Sequence, residues 1–180
     1  KYKWNSKNLS KSMPINKKIL ILFYLIFFAS LSQAEEIKKM GKHKDWETYI
    51  INNEKGKVCF AQSKPVLQAP KTSEREARLF ITFRPNENIK NEISLTAGYE
   101  FNKQNSITAS SGKYKYKFDI SQEQFAWMTD SKQEKKMINT MKKGSRIMIK
   151  GYNKKGSQTI DHYSLLGFTK AYNATRANCS

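Results

Sequence analysis

Histidine is nearly missing from this 180-residue chain, which holds His43 and His162 and no others. That leaves little from which to build the usual acid–base or metal arrangements. The sequence has no Gly-x-Ser-x-Gly elbow, no His-Glu-x-x-His, no phosphate loop and no dinucleotide fingerprint, so the chemistries those motifs support have no foothold. Gly151 to Gly156 brackets two lysines but lacks the lysine-serine ending of a P-loop, and it reads as a hairpin connection. Acidic residues number 15 against 33 basic ones and, Glu35-Glu36 apart, are scattered singly, so the sequence offers no glycosidase carboxylate pair. Arginine is scarce as well: only Arg75, Arg78, Arg84, Arg146 and Arg176 stand among 28 lysines. Phosphate readers favour the planar two-pronged guanidinium, so nucleic acid is not the expected partner. One local pattern, Asp161-His162-x-Ser164, invites a triad reading. Neighbouring residues of a strand point to opposite faces, so Asp161 is badly placed to orient His162, and no catalytic residue is expected there.

Long apolar runs are also lacking. The greasiest stretch, Ile19 to Ala29, is about a dozen residues, short of the roughly 20 needed to cross a bilayer. Lys17 and Lys18 precede it and Ser32-Gln33-Ala34 follows with small residues at the spacing a signal peptidase cuts. We therefore expect residues 13–34 to be a cleavable signal peptide, residues 1–12 an upstream extension outside the fold, and 35–44 a flexible charged leader. A single domain is expected over 45–180. Losing residues 1–34 removes six lysines and no acid, so the formal charge falls from +18 to +12 and stays strongly basic. Charge of this size attracts anionic partners, although a lysine-rich, arginine-poor surface is also how a biased genome spells a solvated exterior.

Cysteine is limited to Cys59 and Cys179. In an oxidising compartment a lone pair 120 positions apart is most simply a disulfide tying the chain end to an early strand. A thiol nucleophile or a metal site fits poorly, because there is no Cys-x-x-Cys and neither cysteine has a local histidine.

The periodicity is mostly that of strands. Trp46 to Ile51 and Lys57 to Ala61 flank a turn-rich segment and predict a hairpin. Pro65 and Pro70 bar 63–72 from any central strand. Further alternating runs occupy 78–83, 91–97, 106–109, 113–118, 146–150 and 159–164. The cleanest is Lys113-Tyr-Lys-Tyr-Lys-Phe118, with Tyr114, Tyr116 and Phe118 predicted to face inward and Lys113, Lys115 and Lys117 outward. Ser131-x-x-Glu134 reads as a capping box for a helix carrying Met137, Ile138 and Met141 and ending at Gly144. Phe168 and Tyr172 predict a short terminal helix. Short strands at this interval argue for an all-β antiparallel sandwich with one inserted helix and a C-terminal one.

Several segments fall into a familiar ordered series. Lys57-Val-Cys-Phe-Ala-Gln-Ser-Lys-Pro65 comes first, then Arg84-Pro85 before Asn91-Glu-Ile-Ser-Leu, Ala97-Gly-Tyr99, Ala126-Trp127 and Met141-Lys-Lys-Gly-Ser145. Lys150-Gly151, Asp161-His-Tyr-Ser-Leu-Leu-Gly-Phe168 and Ala171 complete it before the last cysteine. In order and spacing the series resembles the invasion-associated locus B family of exported bacterial proteins, over about Trp46 to Cys179. The resemblance implies an immunoglobulin-like β-sandwich in the periplasm or cell envelope of a Gram-negative bacterium, within a branch that has two cysteines. It brings no catalytic residues and no cofactor. The family name concerns host-cell invasion, but similar proteins occur in bacteria that invade nothing, so the name is not carried over as an activity.

The expected function is a non-enzymatic binding or envelope-associated factor with an envelope or host-side partner. The alternatives are a basic adaptor for anionic polysaccharide or lipid head groups, and an enzyme whose site forms only on folding. Lys113, Lys115 and Lys117 are the candidate anion-binding residues, although lysine on a sheet edge also guards against aggregation without any ligand.

Overall fold

The structure, a computed structural model, describes residues 36–71 and 75–179. The predicted upstream extension and signal segment lie outside them. In chain order the strands are β1 (Glu36–His43), β2 (Trp46–Asn53), β3 (Gly56–Ser63), β4 (Leu67–Ala69), β5 (Arg78–Arg84), β6 (Ile89–Thr96), β7 (Ile107–Ser111) and β8 (Tyr114–Phe118). Then come β9 (Ile120–Gln122), β10 (Phe125–Trp127), helix α1 (Ser131–Lys143), β11 (Arg146–Tyr152), β12 (Gln158–Ser164) and helix α2 (Phe168–Asn178). A seven-stranded sheet runs β1-β2-β3-β5-β6-β10-β9 and a five-stranded sheet runs β4-β12-β11-β7-β8. Among the described residues every strand pairing is antiparallel, which gives the all-β sandwich with two helices that the sequence predicts.

Alternation builds the core. Leu79, Ile81 and Phe83 of β5 meet Ile93 and Leu95 of β6 from one sheet, and Ile107, Ala109, Ile147, Ile149 and Tyr163 contribute from the other, in one buried cluster. Helix α2 closes one side through the Phe168 ring, which meets Trp46 edge-on at 4.9 Å, and through Tyr172, edge-on to Phe83 at 5.5 Å. Each such aromatic pair adds about 0.5–1.5 kcal/mol beyond its buried area. Gly167 starts α2 with φ +89, and a Cβ there would fall 1.9 Å from the carbonyl oxygen of His43, so only glycine lets the helix sit against the β1–β2 turn.

The structure departs from three expectations. The flexible leader over 35–44 is instead strand β1, paired with β2 from Glu36↔Asn52 to His43↔Trp46 across a bulge between Lys39 and Gly41. Its side chains are mostly exposed, so it is held by ladder hydrogen bonds, and these leave no hydrophobic period in the sequence. As Pro65 and Pro70 require, 63–72 supplies no central strand, and its three-residue strand β4 sits at a sheet edge. The capping box does not form. Asp130 caps α1, its carboxylate accepting from the backbone N–H of Lys132 (2.8 Å) and Gln133 (3.3 Å). Glu134 turns inward instead and accepts from the Ile93 N–H at 2.9 Å. Finally, Tyr116 and Phe118 are buried as predicted, but Tyr114 is 51% exposed at the open end of β8.

Candidate anion-binding groove

Among the described residues strand β8 pairs only with β7, and it forms one edge of the five-stranded sheet. Beside it lies α1, fixed by the buried stripe Met137, Ile138 and Met141 that its 3.6-residue period turns to the core. The two elements are bolted together at Tyr116, whose hydroxyl shares a 2.6 Å hydrogen bond with Thr140 Oγ1 and donates to the Lys136 carbonyl at 3.3 Å. Between them is an open groove of about 500 Å³, within the size range of ligand pockets.

The groove's charge has one sign. Lys115 from β8 and Lys136 and Lys143 from α1 line it, with the amides of Gln133 and Asn139 and the ring of Tyr114, and none of its lining residues is acidic. Helix packing produces this asymmetry. With the apolar stripe inward, Lys132, Lys135, Lys136 and Lys143 face water, while Glu134, the one acid of the helix, is buried. Burial raises the Glu134 carboxyl above the usual carboxylate range, with the nearby Glu92 and Asp130 charges adding to the rise and the Ile93 N–H opposing it. The helix therefore shows solvent its cations and hides its only anion.

The predicted lysine row is divided by this geometry. Lys115 enters the groove, whereas Lys113 and Lys117 are exposed but do not line it, and Lys113 instead lies 5.7 Å from the Tyr114 ring centroid. Lys136, Lys143, Gln133 and Asn139 were not singled out from the sequence. The signal was present: five lysines and a single glutamate in Ser131–Lys143, phased against an apolar stripe.

The remaining site residues are structural. Cys59 and Cys179 form the expected disulfide, with Cα atoms 5.8 Å apart, joining β3 to the end of α2. Asp161 is claimed by Arg75, whose Nη1 donates to it at 3.1 Å and to the Ala97 carbonyl at 3.0 Å, with Nη2 completing a two-pronged pair. The guanidinium also lies 5.5 Å from the Tyr99 ring, and the Tyr99 hydroxyl reaches Thr159 Oγ1 at 2.6 Å. Gly151 makes room for that hydroxyl, because a Cβ there would stand 2.7 Å from it. Segments of the recognised series thus converge on one buried polar lock between the sheets. His162 Nδ1 is buried and has no hydrogen-bond partner among the described residues, and Ser164 Oγ accepts from the Leu166 N–H, so Asp161, His162 and Ser164 do not assemble a triad. Among the described residues no three of His, Cys, Asp and Glu are grouped to hold a metal ion, and no helix is long and apolar enough to cross a membrane.

The sequence model of the family described as "Invasion associated locus B (IalB) protein" matches residues 46–176. No curated protein matches the sequence. Among solved structures, the crystal structure of invasion associated protein b from Bartonella henselae aligns with TM-score 0.55 at 12% identity, over 78% of this chain and 96% of that one. At that identity the likeness is one of fold.

Proposed function

The chain belongs to the invasion associated locus B family, and we propose that it is an exported, non-enzymatic envelope protein that binds acidic polysaccharide through the groove between β8 and α1. The observation that carries this reading is the groove itself: three lysines, two amides and an exposed tyrosine ring converge with no lining carboxylate. Ammonium groups pair with the carboxylates of sugar acids, amides bond hydroxyls, and an open aromatic face covers the apolar face of a sugar ring. Export rests on the predicted signal segment at 13–34 and on the bonded cysteine pair, which suits an oxidising compartment such as the periplasm or outer envelope of a Gram-negative cell. The non-enzymatic reading is supported by the engagement of Asp161 with Arg75 rather than His162.

Titration with polygalacturonate tests the groove. Binding is expected at low salt, and Lys115→Gln/Lys136→Gln/Lys143→Gln should weaken it roughly 10-fold or more, with added salt weakening the parent likewise. Equal binding by the triple variant, or equal affinity for neutral dextran, would overturn the proposal.

A further inference from the structure

At the other edge of the same five-stranded sheet, the chain leaves β3 through Lys64-Pro65-Val66 into β4. Here Val66 is 53% exposed and Leu166 61% exposed, and Leu67 also stands open. The two segments are neighbours: Val66 lines a groove of about 370 Å³ with Lys44 and Asp45, and the Asp45 N–H donates to the Leu166 carbonyl at 3.3 Å. Lys42, Lys44 and Lys64 surround that groove. Two carboxylates also line it, Asp45 and Glu47, and Glu47 is engaged by Lys39 and the Tyr49 hydroxyl and stands across the strands from Lys42, so the three lysines outnumber the two acids. None of the three apolar side chains is needed for the core, and the β12 backbone fixes their position, His162 carbonyl accepting from the Val66 N–H at 2.8 Å.

From this arrangement we infer that the β4 edge is a docking surface for an anionic lipid bilayer, with Val66 and Leu166 entering the acyl boundary and Lys42, Lys44 and Lys64 meeting the head groups. Apolar side chains ringed by lysines suit an interface in which the greasy tips leave water while ammonium groups snorkel to phosphate. A protein partner would bring its own carboxylates to these lysines, but it would also need a rigid complementary surface. A fluid bilayer takes up isolated protruding side chains without one. Charge alone gives only a weak hold, of about fivefold per lysine near the surface, and burying each apolar side chain adds about tenfold or more.

The test uses the Glu35–Ser180 unit, which carries the whole core and the disulfide, sedimented with vesicles of phosphatidylcholine alone or of equal parts phosphatidylcholine and phosphatidylglycerol. Binding to the mixed vesicles only is expected. Val66→Asn/Leu166→Asn should lower partitioning about 50-fold or more, and Lys42→Gln/Lys44→Gln/Lys64→Gln should also lower it strongly. Both variants change exposed positions, so their melting temperatures and their polygalacturonate binding should match the parent. Undiminished partitioning of the asparagine variant, or loss only on replacing Lys115, Lys136 and Lys143, would overturn the assignment.

Discussion

Reduction of the Cys59–Cys179 bond offers a quantitative test of what holds the sandwich together. The bond closes a loop of 120 residues, for which chain-entropy arguments give the oxidised protein an advantage of about 5 kcal/mol through the unfolded ensemble. On the folded side little changes. Helix α2 is still held by Phe168 against Trp46 and by Tyr172, whose hydroxyl donates to Asn91 and whose ring carries the Lys142 ammonium at 3.8 Å. A domain of this size has about 5–15 kcal/mol in hand, so losing about 5 leaves about 0–10 kcal/mol, and the reduced protein is expected to stay mostly folded at 25 °C. Its melting temperature should fall by roughly 10–20 °C, at about 2–4 °C for each kcal/mol. Thermal and urea unfolding with and without a reductant check this, and Cys59→Ala/Cys179→Ala gives the same comparison without reductant. The unfolded-state argument also requires a larger urea m-value for the reduced chain, since its denatured ensemble exposes more surface. A melting temperature that moves by less than about 3 °C would refute the reasoning, as would an unchanged m-value accompanied by early loss of the α2 signal alone.

Replacing Arg75 by Met should destabilise the fold by about 3–5 kcal/mol, because Asp161 would keep a buried charge without its partner. Arg75→Met/Asp161→Leu should recover most of that loss in urea unfolding, and a double variant as weak as the single one would count against the buried-pair account. Glu134 gives a pH signature. Its pKa is raised on folding, so its stabilising contribution is complete below the unfolded carboxylate range and is lost as pH rises through the raised value. Glu134→Gln keeps an acceptor for the Ile93 N–H and carries no charge. The variant should match the parent at about pH 3 and melt higher at neutral pH, whereas parallel pH curves would contradict the burial argument.

Which parts of this were legible depended on whether a residue's environment left a period in the sequence. β3, β11 and β12 bury every second side chain over most of their length, β2 does so over its first half, and β5 and β6 largely alternate apolar with polar residues in sequence although they bury consecutive residues, so alternation located them to within a residue or two. β1 buries none of its side chains, and β9 and β10 are three residues each, too short for any period to show. The misread cap of α1 is instructive. Ser131 and Glu134 have capping-box spacing, but Asp130 one position earlier supplies the stronger acceptor, and Glu134 then falls on the inner face, where the Ile93 N–H is waiting. For the site, alternation placed Lys115 on the surface but could not bring α1 alongside β8. That contact depends on the Tyr116–Thr140 hydrogen bond between residues 24 positions apart. The Arg75–Asp161 pair was invisible for the same reason, joining residues 86 positions apart.

The two basic faces stand at opposite edges of one sheet, β8 at one end and β4 at the other. Four strand spacings separate them, roughly 19 Å, which is beyond the Debye length at physiological ionic strength. A polymer held at one edge and a bilayer at the other would therefore scarcely sense each other's charge. The lock formed by Arg75, Asp161, Tyr99 and Thr159 reaches into β12, between the two edges, and gives the frame a rigid centre. Were the polymer and bilayer bindings proposed above both to hold, two such faces would make the protein a tether. Polygalacturonate and phosphatidylglycerol vesicles are both anionic and should not associate alone. Adding the protein should carry polygalacturonate into the vesicle pellet, in an amount that rises and then falls as excess protein saturates each partner separately. Either Lys115→Gln/Lys136→Gln/Lys143→Gln or Val66→Asn/Leu166→Asn should abolish that carriage, while each leaves the other binding reaction intact. Competition between polymer and vesicles for the protein would mean that one face serves both, and the tether would have to be abandoned.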